Sequence, residues 1–155
     1  MDDTGEATTP DSQPTGDEKL VLDMIRAVEE RDMDTLVATY HPDVVFVWPP
    51  ELPYGGTFQG EEVAPMTEAF AAAWGPLQRD ADMRRLDPRL LGSAGNDVAV
   101  HYVQRGRDAE GRTCEMPVIG LYTVVDSRVR RLQMFYFDAT ATARFLDRAA
   151  ALDDA

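Results

Sequence analysis

An α+β cone, in which a strongly curved sheet of mixed and antiparallel strands wraps around three helices, is the fold class this sequence predicts. Three observations predict it. The chain reads helix, helix, strand, strand, helix, then four strands and a tail helix. The late strands are joined by the short turn sequences "SAGND", "DAEG" and "DS", which make neighbours antiparallel hairpins. Finally, "MPVIGLYTVV" and "LQMFYF" are apolar at both alternating positions, so both faces of the sheet need cover. If Met116, Val118 and Gly120 face the helices, then Pro117, Ile119 and Leu121 need a second partner, and a second copy packing sheet to sheet is the economical one.

Each element has its own local cause. Residues 1–16 are Asp, Thr, Pro, Gly and Ser with little to bury, which reads as a disordered acidic tail. From Asp17, Leu20, Leu22, Met24, Ile25 and Val28 recur at helical spacing, with Asp17 and Glu18 at the favourable end of the helix dipole. Asp32 caps a second short helix carrying Met33, Leu36, Val37 and Tyr40. His41-Pro42 breaks it, because proline pushes the preceding residue out of the α region. "VVFVW" is a strand by composition, ended by Pro49-Pro50, and "YGGTFQG" reads as a turn and a short strand. "EEVAPMTEAFAAAWG" is a helix with Val63, Met66, Phe70 and Trp74 on one stripe, Pro65 in its first turn and Gly75-Pro76 as its stop. Strands are expected near 82–92, 97–107, 112–125 and 128–137, and Asp138 caps a last helix, "ATATARFLDRAA". This makes one domain over 17–150 and a C-terminal tail over 151–155.

Composition narrows the partners. There are 28 acidic residues against 15 basic ones, a net charge of −13, so nucleic acid and anionic membranes are repelled. No apolar run has the length of a membrane span, and the N-terminus lacks the basic start and apolar centre of a signal peptide. A cytoplasmic location follows as the expectation. Cys114 is the single cysteine and there are two histidines, which argues against a disulfide framework and a tight metal site. No phosphate loop, nucleophile elbow or dinucleotide fingerprint is present, so no cofactor is expected.

The stretches "ERDMDTLVATYHPDVVFVWPP", "YGGTFQGEEV" and "RRLQMFYFDATA" together resemble the nuclear-transport-factor-2-like superfamily, in its SnoaL-like or ketosteroid-isomerase-like branch, over residues 18–148. The resemblance implies a cystatin-like α+β barrel whose open end holds a small apolar ligand, and a dimer across the sheet. It also explains the odd run "FVWPPELPYGGTFQG": the first strand ends at the cone mouth, and the prolines, Leu52 and Tyr54 form a stiff rim. The family's catalytic groups do not carry over. Counting without gaps from Asp32, the isomerase base falls on Trp48, its oxyanion tyrosine on Met24, and its further acid near Val118. The Asp-Arg-Asp group of the limonene-epoxide-hydrolase branch falls on Val103, Arg105 and Phe135, and the acid of the SnoaL cyclases also falls on Phe135.

The register the resemblance implies sends Ala99, His101, Val103 and Arg105 into the cone, and Tyr102 and Gln104 outward. It likewise sends Gln133, Phe135 and Phe137 inward and Met134 and Tyr136 outward; a slip of one residue reverses every assignment. On that register His101 is either a proton carrier or a buried structural histidine. Arg105 either anchors a ligand oxygen or is a solvated strand end, and Gln133 is a donor in the cone or a satisfied amide. Glu115 pairs with an arginine, and His41 is structural. Phe46, Trp48, Tyr54, Met116, Val118, Phe135 and Phe137 complete the expected ligand wall. The expected function is binding of a small hydrophobic molecule of polyketide, terpenoid or steroid-like type. Cofactor-free isomerisation, cyclisation or dehydration is the chemistry if one occurs, and a non-catalytic, dimeric accessory protein of the same fold is the alternative.

Overall fold

The computed structural model describes residues 14–153, so most of the expected acidic tail lies outside the described residues. Helix α1 (Gly16–Glu30) starts at a capping box in which Thr15 accepts from Glu18 and the Glu18 side chain returns to the Thr15 backbone. It ends where Arg31 adopts a left-handed conformation. Helix α2 (Met33–Thr39) is capped by Asp32, as its sequence requires, and runs straight into β1 (Tyr40–Trp48). After β2 (Gly56–Gln59) comes α3 (Val63–Trp74) with Pro65 in the first turn. Four further strands follow a short helix, α4 (Ala81–Arg84): β3 (Arg89–Ala94), β4 (Asp97–Arg107), β5 (Thr113–Val125) and β6 (Arg128–Tyr136). Helix α5 (Ala139–Asp153) closes the chain, with Asp138 accepting from Ala141 N as its cap.

Three boundaries differ from expectation. Tyr40, expected on the second helix, already has extended backbone and opens β1, four residues before Val44. Residues 81–84 are helical, because the Asp80 carboxylate accepts from Met83 N and caps a turn there, so the third strand starts only at Arg89. Helix α5 continues through 151–153, past the expected domain end at 150.

The six strands form one curved, unclosed sheet in the order β2-β1-β6-β5-β4-β3. All neighbours are antiparallel except β1 and β6, which run parallel and bring the first strand beside the last. The concave face buries Val98, Val100, Val118, Tyr122, Leu132 and Phe46 against Val21, Met24 and Ile25 of α1, Met66 and Trp74 of α3, and Leu146 of α5. This is the predicted α+β architecture, with helices on one face of a bent sheet.

A candidate site inside the cone

Alternation along β4 decides what faces inward. Val98, Val100, Tyr102 and Gln104 are buried on the helix side, whereas Ala99, His101 and Val103 are only half-buried on the other. The placement expected for this strand is therefore reversed. His101 lies on the outer face, opposite Ile119 on one side and Arg89 on the other. Arg105 belongs to the same outer parity and is covered by the segment before β3. Its Nη2 meets Asp87 at 2.9 Å, and its Nε stands 3.5 Å from Glu115, an ion pair too loose to satisfy that nitrogen. Glu115 does pair with an arginine, and His41 Nδ1 accepts from Asp43 N in a local turn. Strand β6 is reversed in the same way. Leu132 and Met134 are buried inside, with Tyr136 beside them, whereas Gln133 and Phe135 face outward and Phe137 is exposed just beyond the strand. The physical cause is local: Asp97, His101, Arg105 and Arg107 share one parity, and Val98, Val100 and Tyr102 the other.

The remaining expected wall residues do face in. Phe46, Trp48, Met116 and Val118 are buried on the concave face, and Tyr54 is 1 % exposed. Tyr54 and Leu52 turn under the rim rather than standing on it. Leu52 N donates to Pro49 O and Gly55 N to Leu52 O, which winds the proline segment into two tight turns. At this end the rings touch: Trp48 and Tyr54 meet edge-on at 5.0 Å, Trp48 and Phe70 stack at 5.4 Å, and Tyr54 and Phe70 meet at 4.9 Å. The space expected to hold a small apolar ligand is thus occupied by aromatic side chains.

Within this wall lies a polar chain that the sequence reading missed. Trp74 Nε1 donates to the Tyr54 hydroxyl at 2.9 Å, and that hydroxyl lies 2.6 Å from the hydroxyl of Tyr136. Three hydrogens meet two oxygens here, so whichever phenol donates to the other, one hydroxyl hydrogen is left over for a third partner. Deeper in, the Tyr102 hydroxyl donates to Met134 Sδ at 3.4 Å, and Trp48 Nε1 donates to Met66 Sδ at 3.1 Å. The signal that could have found this chain was Trp74 on the apolar stripe of α3, with the tyrosines sharing the parity of the valines.

Every tyrosine of the protein is shifted upward. Burial raises Tyr40 to about 12 and lifts Tyr102, Tyr122 and Tyr136 well above the ordinary phenol range. Burial also raises Tyr54, and its hydrogen bonds with Tyr136 and Trp74 pull it partly back. Burial raises the Cys114 thiol to about 11. The folded state therefore keeps phenolic protons that the unfolded chain releases near pH 10. Stability is full below that pH and falls as pH rises through the folded values. In an alkaline titration, tyrosinate absorbance should lag the free-phenol curve and then rise together with loss of the fold. A smooth titration at the free-phenol position would remove the buried array.

A surface cleft of about 630 Å³ between the end of α1 and α4 is lined by Glu29, Arg31, Asp82, Arg84 and Arg85. Its charged walls do not suit an apolar molecule. Among the described residues no helix is long and apolar enough to cross a membrane.

Known proteins share this architecture. TerC, co-crystallised with polyporic acid, superposes with a TM-score of 0.71 at 21% identity, over 86% of this chain and 99% of its own. A protein with a cystatin-like fold from Xanthomonas campestris gives 0.72 at 22%, over 85% and 98%. IdmH, a candidate polyketide cyclase from Streptomyces antibioticus, gives 0.62 at 18%, over 83% and 97%. At these identities the likeness is one of fold. No curated protein matches the chain in sequence. The SnoaL-like domain model matches residues 21–132, which run from within α1 through α2, α3 and most of the sheet into β6, and the chain belongs to that family within the nuclear-transport-factor-2-like superfamily.

Proposed function

We propose that this protein binds a small hydrophobic molecule, of polyketide, terpenoid or steroid-like type, inside the cone. The observation that carries this reading is the Trp74–Tyr54–Tyr136 chain, which leaves one hydroxyl hydrogen to give in an otherwise apolar wall. Phenylalanine at either tyrosine would pack as well without burying a hydroxyl, so a core built for stability alone gains little from the pair. The polyporic acid complex of TerC and the candidate polyketide cyclase IdmH, both on this fold, support the ligand class.

Any reaction would be a cofactor-free isomerisation, cyclisation or dehydration in the cytoplasm. Positioning supplies part of the rate, and donors aimed at a developing oxyanion supply another part. With His101 on the convex face, the proton-bearing group facing the ligand is the Tyr54–Tyr136 pair. The two tryptophans, Trp48 and Trp74, both stand in this wall, so a ligand entering it must displace rings that now touch. Titration with an aromatic polyketide, a monoterpene and a steroid should therefore give a saturable change in tryptophan emission for at least one of them. Emission unchanged across all three would remove the binding function.

A second reading, a non-catalytic dimeric accessory protein, is favoured by the ring contacts that fill the cone mouth. Under either reading we propose a homodimer through the outer sheet face. Ile119 and Phe135 pair across β5 and β6 there and are 41% and 49% exposed, with Phe137 at 84% next to them. Apolar surface of this kind, central on a sheet, is stable when covered. Phe135→Glu should convert a dimer into a folded monomer by analytical ultracentrifugation. A wild-type protein that sediments as a monomer would refute the interface.

A further inference from the structure

Two guanidinium groups converge in the charged cleft between the end of α1 and α4. Arg31 Nη2 and Arg84 Nη1 donate to one oxygen, the backbone carbonyl of Gln78, at 3.3 and 3.1 Å. Because they share that acceptor, the two nitrogens stand at most 6.4 Å apart, the sum of the two bonds. Both residues line the cleft of about 630 Å³. Among the described residues neither guanidinium makes an ion pair. Like charges this close repel, and one neutral carbonyl is a weak counterweight to two of them.

The lining is balanced in formal charge, three arginines against three carboxylates, but not in pairing. Arg85 pairs with Asp87 at 3.1 Å and with Asp82 at 3.5 Å, and a Glu29 oxygen accepts from Leu86 N at 2.7 Å. Glu30 is exposed and stands in no ion pair among the described residues. Two features hold the converging donors in place. Gln78 Nε2 donates to Arg105 O at 2.8 Å, which ties the residue carrying the shared carbonyl to β4. Arg31 closes α1 in a left-handed conformation, φ 57° and ψ 38°, where glycine is the usual residue. Its side chain is exposed, so no burial offsets the cost of that backbone.

We infer that Arg31 and Arg84 form a binding site for a small oxyanion, a carboxylate or phosphate group. Two oxygens of one such group can each take an N–H, one from each guanidinium, and the anion supplies the negative charge that the Gln78 carbonyl lacks. The net charge of −13 repels polyanions, so the ligand is a small molecule and not a nucleic acid. This site lies outside the cone and does not depend on what the cone binds.

The test is isothermal titration of the full chain with inorganic phosphate and with succinate, at constant ionic strength in chloride. At least one of them should bind saturably with a dissociation constant of about 1 mM or tighter, and the tighter of the two identifies phosphate or carboxylate as the group recognised. Arg31→Gly keeps the left-handed turn and removes the guanidinium. It should fold at least as stably as the parent and weaken the anion about tenfold. Arg84→Gln should weaken it to a similar degree, whereas Glu30→Gln should tighten it by removing a lining carboxylate. Arg26→Gln, on α1 outside the lining, should change nothing. Failure of both anions to bind above the chloride background would overturn the site. So would binding that survives unchanged in Arg31→Gly and Arg84→Gln, since the anion would then be held by the surface at large.

Discussion

Trp74→Ala is expected to destabilise the fold by about 3–5 kcal/mol, seen as a large drop in the denaturant midpoint. Trp74 is 1% exposed at the end of α3 and packs closely against β4. The reason for the close approach is Gly106 of β4: a Cβ there would come within 3.1 Å of the Trp74 ring and of Leu77. Truncation therefore opens a cavity between helix and strand that neither backbone can close. It also removes the donor to the Tyr54 hydroxyl. Trp74→Phe separates the two effects, since it keeps most of the ring and loses only the N–H. It should cost about 1 kcal/mol plus the smaller packing loss. An alanine variant within about 1 kcal/mol of the parent would show that the ring is not packed as described.

Gly55→Ala should be of comparable size, about 3 kcal/mol or more, although it adds a single methyl group. That methyl carbon would stand 2.2 Å from Pro49 O and 2.9 Å from Leu52 O and the Pro50 carbonyl carbon. All three are backbone atoms of a segment made stiff by Pro49, Pro50 and Pro53, so none can swing aside. The turn must reopen, which breaks the Gly55 N to Leu52 O bond and withdraws Tyr54 from Trp74 and Tyr136. Loss of stability and a red-shifted tryptophan emission should appear together. Gly75→Ala is the control. Its backbone is already helical and nothing lies within 4 Å of the added carbon, so it should be neutral or slightly stabilising. Equal behaviour of the two variants would refute the tight turn.

These two positions also show where sequence reading reached and where it stopped. That Trp48-Pro49-Pro50 ends a strand, and that Tyr54 matters beside it, could be read from turn chemistry. That Tyr54 folds under to meet residue 136 could not, because the two are joined only by the parallel β1–β6 contact. The orientation of β4 was legible: the alternation of Asp97, His101 and Arg105 against Val98, Val100 and Tyr102 states it in plain polarity. The family register, counted without gaps from Asp32, runs against that pattern. Ungapped counting cannot register the pairing irregularities at Tyr40/Val45, Leu90/Gly92 and Thr123/Val124. One residue of slip is enough to exchange His101 for Tyr102 and Gln133 for Met134.

What the sequence by itself determined is the set of properties that reside in short windows: helix caps at Asp32 and Asp138, the proline stop after Trp48, the hairpins of the late strands, and hence the family fold. What only the tertiary structure decided is which side chains share the interior. Four strands, β1, β4, β5 and β6, supply the buried residues of the inner face, and their relative register depends on bulges and on one parallel pairing between chain segments about ninety residues apart. Propensity and spacing act over a turn or two, whereas the meeting of Trp74, Tyr54 and Tyr136 is set by how the whole sheet bends around its helices.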